Sequence, residues 1–131
     1  MNYVSTRGAA PATKFEEVLE TALAPDGGLY VPEVWPRLDG EEIARLAAVP
    51  YEQAAFRVLF AFVEGVIPES EFRALIEDAY AGFGEAGVAP VSPLAPGHWL
   101  LELFHGPTLA FKDVAMQLLA RLLERGAAAR R

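Results

Sequence analysis

Residues 84–97 read GEAGVAPVSPLAPG, with three prolines and three glycines in fourteen positions. Proline has no amide hydrogen to donate, and glycine loses the most backbone freedom on ordering. The stretch therefore cannot carry a regular helix and reads as a linker or loop. It divides the chain into two unlike parts. Upstream, apolar residues recur at helical spacing. Downstream, a short β-prone run leads through a tight turn into one long amphipathic helix.

The upstream part opens on NYVST, residues 2–6, a short edge-strand candidate. Residues 13–24 carry Phe15, Val18, Leu19, Ala22 and Leu23 on one stripe, with Thr13 and Glu16 at the spacing of a capping box. Pro25-Asp26-Gly27-Gly28 stops that helix, and LYVP, residues 29–32, reads as a second short strand. Residues 40–49 predict a short helix capped by Asp39. In residues 51–65, Ala55, Val58, Leu59 and Phe62 lie on one side, with Phe56, Phe60 and Val63 around it. A helix apolar on more than one face is expected to be central. Residues 68–83 form the cleanest pattern, Phe72, Leu75, Ile76, Ala79, Tyr80 and Phe83, with Pro68 in the first turn.

Downstream, HWLLELF at 98–104 reads as a buried strand, His105-Gly106-Pro107-Thr108 as a turn, and 111–125 as a helix with a leucine stripe. Strand, turn and helix are the first half of a βαβ unit, and its second strand is missing. The expected class is α/β, mostly helical in the part seen here. Residues 1–88 would be a helical domain with a small strand element. Residues 89–131 would be the truncated start of an open α/β domain, and the chain a piece of something longer. An uncovered strand edge invites pairing with a second copy, so self-association is expected.

Composition narrows the function. Of 131 residues, eleven are basic and eighteen acidic, a net charge of −7. Nucleic acids and anionic membranes ask for the opposite sign. There is no cysteine, which excludes disulfides, thiolate catalysis and cysteine-held metals. No metal site is expected. The N-terminus lacks the basic and apolar regions of a signal peptide, and no apolar run approaches the roughly 20 residues of a membrane span. A cytoplasmic setting is expected.

The chain has two lysines, Lys14 and Lys112. Lys112 follows Leu109, Ala110 and Phe111 at the predicted strand-to-helix turn, the edge of an open α/β sheet where ligands bind. A helix N-terminus and desolvation both disfavour the ammonium. A neutral lysine amine can act as a nucleophile. Asp113 works the other way, favouring the ammonium if it points inward. The plain alternative is a surface lysine whose stem covers apolar neighbours.

LELFHGPTLAFKD, residues 101–113, resembles the stretch bearing the pyridoxal-phosphate lysine of threonine synthase. YVSTRG at 3–8, DGGLYVPEVWP at 26–36, YEQAAFRVLFAFVEG at 51–65 and IPESEFRALIEDAY at 67–80 resemble the N-terminal domain of the same family. The resemblance covers essentially all of residues 1–126. It implies a fold-type II pyridoxal-phosphate enzyme, a lyase converting O-phospho-L-homoserine and water to L-threonine and phosphate. Lys112 would carry the cofactor as a Schiff base and shuttle protons, and Phe111 would wall the site. Thr108, His105 and Arg7 would be candidates for touching substrate, Arg7 through its phosphate. Each also has a structural reading: helix cap, strand-end hydrogen-bonder and surface cation. His98 reads as solvated. The family's glycine-rich phosphate loop is not found in this sequence, so the chain alone is expected to be inactive and to hold the cofactor weakly or not at all. Three alternatives stay open: another fold-type II lyase or synthase, a non-enzymatic helical interaction module, and a threonine-synthase-like remnant that regulates or does nothing.

Overall fold

A computed structural model describes residues 1–84 and 87–129. Glu85 and Ala86 of the expected linker, and Arg130 and Arg131 of the tail, lie outside the described residues. The elements are β1 (Tyr3–Ser5), α1 (Phe15–Thr21), β2 (Tyr30–Pro32), α2 (Gly40–Leu46), α3 (Tyr51–Val63), α4 (Glu69–Tyr80), β3 (Val91–Ala95), β4 (His98–Leu101) and α5 (Asp113–Ala128). The molecule is mostly helical with small strand elements, as the patterning predicts.

The core gathers on α4. Phe72 and Ile76 are each 1% exposed, and Ala79 and Tyr80 complete the buried stripe. Phe56 and Phe60 of α3 stack with ring centroids 4.9 Å apart, and each lies 6.0 Å from Phe72. Leu118 and Leu122 of α5 join the same core from beyond the linker. The α4–α5 seam is fastened by Tyr80 Oη, which donates to the Val114 carbonyl at 3.1 Å, and by Arg125, which forks onto Glu71 at 2.8 and 3.2 Å. Arg121 adds an ion pair to Asp78.

β1 and β2 pair antiparallel, with Val4 opposite Val31. Tyr3 fixes this ribbon to α3 by donating from Oη to the Phe62 carbonyl at 2.7 Å. Asp39 caps α2 as expected: its side chain accepts from the Glu42 amide, and Glu42 reaches back to the Asp39 amide.

Four expectations need correction. Thr13 does not cap α1; its amide and carbonyl pair with Tyr3, each at 2.9 Å, and its hydroxyl turns to Glu17. Lys14 takes the cap position without a side-chain bond, and the helix stops early, where Ala22 takes φ 60°. Second, α3 is not central, because Val58 is 39% exposed and only Ala55, Phe56 and Val63 are buried. Third, the proline-rich stretch is no simple linker. Its second half is β3, which pairs antiparallel with β4 across a turn where Gly97 takes φ 73°. A two-stranded ribbon tolerates Pro93 because half of its backbone groups face solvent. Fourth, residues 98–104 are not one buried strand. β4 ends at Leu101, and all four of its residues are exposed. Trp99 is 67% exposed. The backbone finds its partners within the hairpin, so no second layer is needed to satisfy it.

Candidate active site

The turn between β4 and α5 is built from the inside. Gly106 is buried, and a Cβ placed on it would lie 2.4 Å from Asp113 Cβ. Only glycine lets the chain pass so close. Asp113 opens α5 and is itself 4% exposed. Its carboxylate accepts the Thr108 amide at 2.8 Å and the Thr108 hydroxyl at 2.9 Å. Gln117 donates from one turn along α5 at 3.5 Å. Burial pushes the Asp113 carboxyl up, but the Thr108 amide and hydroxyl, with Gln117 and the Ala110 amide, outweigh it and hold it below the usual value.

Above this clasp the chain turns sharply. Leu109 donates its amide to the Gly106 carbonyl at 3.0 Å and takes φ 61°, a left-handed conformation uncommon for a side chain of its size. Leu109 and Phe111 are left 74% and 66% exposed. Lys112 stands at the N-cap of α5, and its carbonyl accepts the Met116 amide at 2.8 Å. Its side chain is exposed and enters no hydrogen bond or ion pair among the described residues. The expected desolvation of Lys112 is therefore not present in this chain. The other lysine differs, since Lys14 Nζ donates to Asn2 Oδ1 at 2.6 Å.

The base of the turn is held by three polar side chains. His105 Nε2 meets Glu102 Oε2 at 2.7 Å, and the Ser92 hydroxyl donates to the other Glu102 oxygen. The Ser92 hydroxyl, and after it His105, hold the Glu102 carboxyl below its ordinary value against the cost of burial. The His105 carbonyl accepts the Gly84 amide at 2.9 Å, and its ring lies 4.7 Å from Phe104. His98 is exposed at the start of β4.

Arg7 sits on a separate loop after β1. Asp26 organises that loop: its carboxylate accepts from the Ser5 hydroxyl at 2.7 Å, the Gly28 amide at 2.9 Å, and the Ala9 and Ala10 amides at 3.0 Å. The Ser5 hydroxyl bond is the largest cause of a lowered Asp26 carboxyl pKa. Arg7 donates its amide to Ser5 Oγ and one guanidinium nitrogen to the Asp26 carbonyl, both at 3.1 Å. Among the described residues, no hydrogen bond or ion pair joins this loop to the Lys112 turn.

The structure thus brings Lys112, Phe111, Thr108 and His105 into one turn and leaves Arg7 apart. Sequence reasoning missed Asp26, Ser5, Glu102 and Ser92. Asp26 had a local signal, an aspartate before two glycines, which favours a carboxylate turning back onto its own backbone. Glu102 and Ser92 meet only because of the hairpin, and no local pattern announces that. No group of three or more metal-binding side chains occurs among the described residues, and none of its helices is long and apolar enough to cross a membrane.

Comparison with known proteins agrees with this architecture. Residues 2–80 match the family model described as threonine synthase N terminus. Threonine synthase of Pseudomonas aeruginosa is 55% identical over 124 residues, covering 95% of this chain and 26% of the relative. That of Methylobacillus glycogenes is 40% identical, covering 95% and 28%. The chain therefore spans about a quarter of the length of the relatives it matches. The crystal structure of a pyridoxal-phosphate-bound threonine synthase from Brucella melitensis superposes with a TM-score of 0.95 at 46% identity, covering 99% of this chain and 28% of that one. The family model takes in well over half of the residues, and the fold agrees along nearly all of them: the chain belongs to the threonine synthase family.

Proposed function

We propose that this chain is the N-terminal part of a threonine synthase, acting on O-phospho-L-homoserine and water to give L-threonine and phosphate, with Lys112 as the attachment point for pyridoxal phosphate. The observation that carries the reading is an exposed primary amine with no partner among the described residues, at the head of α5, in a chain that superposes on a cofactor-bound relative. The donor chemistry fits the cofactor, since an unpaired amine is free to meet an aldehyde. Leu109 and Phe111 flank it with exposed apolar surface on which a planar ring can rest. When bound, pyridoxal phosphate supplies an electron sink for carbanions.

This chain's own residues supply the rest. Lys112 Nζ, when neutral, accepts a proton and returns it. Phe111 would wall the site with its exposed apolar ring. Arg7 has guanidinium donors beyond the one given to the Asp26 carbonyl, and a dianionic phosphate group is their natural acceptor. Thr108 and His105 are already engaged, with Asp113 and Glu102 respectively, which supports a loop-shaping role over direct contact with substrate. Residues 89–131 begin the cofactor domain in this reading. The family's glycine-rich phosphate loop is not found in this sequence, so the chain alone is expected to be inactive. It is cysteine-free, and we place it in the cytoplasm, where thiol oxidation is not used to build structure.

Borohydride reduction of the whole enzyme that contains this chain, in the presence of pyridoxal phosphate, is expected to fix the label on Lys112. Label on any other side chain overturns the reading. Turnover of O-phospho-L-homoserine, with none of serine or threonine, separates it from other fold-type II lyases.

A further inference from the structure

Lys112 and Asp113 are neighbours in sequence, and an aspartate beside a lysine is its readiest counter-ion. The structure does not pair them. The Asp113 carboxylate lies beneath the turn, 4% exposed, with Thr108 bound to both of its oxygens and Gln117 closing from α5. Gly106 makes that position possible, since any side chain there would expel Asp113. Lys112 is left on the outer side of the same turn with no acidic partner among the described residues.

We propose that Thr108 and Gly106 sequester the Asp113 carboxylate under the turn, so that Lys112 is presented without a counter-ion to an anionic, carbonyl-bearing ligand. Thr108 is then a positioning residue, acting on Lys112 through Asp113. The inference rests on Lys112 being the attachment point, and it explains how a lysine with an aspartate for a neighbour can serve there. Opposite charge at close range favours the ammonium and suppresses the nucleophile. Taking the aspartate away by mutation is not the only way to avoid that, because burial under a hydrogen-bonded clasp does it with the charge kept.

The test needs no cofactor. Trace acylation of the chain with acetic anhydride labels amines in proportion to their neutral, accessible form, and Lys14 serves as the internal reference. Thr108→Val removes the hydroxyl that touches both carboxylate oxygens, keeps the backbone amide, and so loosens the hold on the carboxylate. The Lys112-to-Lys14 labelling ratio is expected to fall by about tenfold, the size of effect that one close opposite charge produces. Thr108→Ser restores the donor and is expected to restore the ratio. Asp113→Asn opens the clasp but carries no charge, and is expected to leave the ratio at or above that of the unmodified chain. A ratio within about twofold for Thr108→Val overturns the proposal. So does a fall of equal size in Asp113→Asn, which would mark simple loosening of the turn. If Thr108→Val does not fold, Thr108→Ala removes the same donor with less bulk and is read the same way. Because acetic anhydride replaces pyridoxal phosphate, failure here leaves the borohydride result standing, and a wrong borohydride label leaves the acylation pattern standing.

Discussion

Asp26 is one side chain doing the work of a small scaffold. Four donors converge on its carboxylate, and Gly28 sits so near that an added Cβ would come within 2.1 Å of Ser5 Oγ. Its pKa is lowered in the fold, chiefly by Ser5. A carboxyl that ionises more readily folded than unfolded lends stability above its unfolded value, near 4, and that stability disappears as pH falls through the folded value. Asp113 and Glu102 are lowered in the same direction. The melting temperature is therefore expected to be flat from about pH 5 to 8 and to drop below about pH 4. Asp26→Asn is expected to lower the plateau and make the acid decline shallower. A decline as steep as that of the unmodified chain, measured by circular dichroism, would show that Asp26 is not one of the responsible groups.

Among elements, α4 carries the core and its seam with α5 carries the turn. Ile76→Ala in that core is expected to cost about 3 kcal/mol, the usual range for emptying a packed aliphatic site. Arg125→Ala is expected to cost under about 1 kcal/mol, because both it and Glu71 are partly solvated. Urea denaturation separates the two, and equal costs would mean that the ion pairs, not the apolar stripe, hold the seam. These elements also show what patterning can reveal. Phe72, Ile76, Ala79 and Tyr80 were legible because helical spacing and burial coincide on one face. Asp39 was legible because a cap is a local device. Thr13 misled because a distant residue, Tyr3, claimed its backbone. The hairpin was hidden because Pro93 and Pro96 carry the composition of a loop, while the hydrogen bonds that make a ribbon lie between residues that periodicity does not link. Lys112 was found through its motif, and Asp113's inward turn required coordinates.

At the scale of the whole molecule, apolar exposure is uneven. Leu94, Trp99, Leu101, Phe104, Leu109 and Phe111 are all at least half exposed, and all lie between the start of β3 and the start of α5. Both strands of that hairpin have a free edge. Exposed apolar surface beside unpaired backbone favours association. The isolated chain is expected to sediment as a concentration-dependent mixture of monomer and larger species. Leu94→Ser combined with Trp99→Ser is expected to shift it toward monomer with little change in helix content. Monomer at every concentration in the unmodified chain would contradict this.

The helix that follows Lys112 is held near that end by Tyr80 at the Val114 carbonyl, and its apolar grip lies farther along. Leu122 lies ten residues along it, about 15 Å at the helical rise, and Leu118 and Leu122 are its leucines in the shared core. The lysine thus rides the tip of a strut whose root is bolted into α4 by leucines and whose first turn is tied to the same helix through Tyr80. Damage at the root, remote from any reacting atom, will tilt the tip, so substitutions that look like mere folding lesions in the seam should surface as chemical defects at the amine.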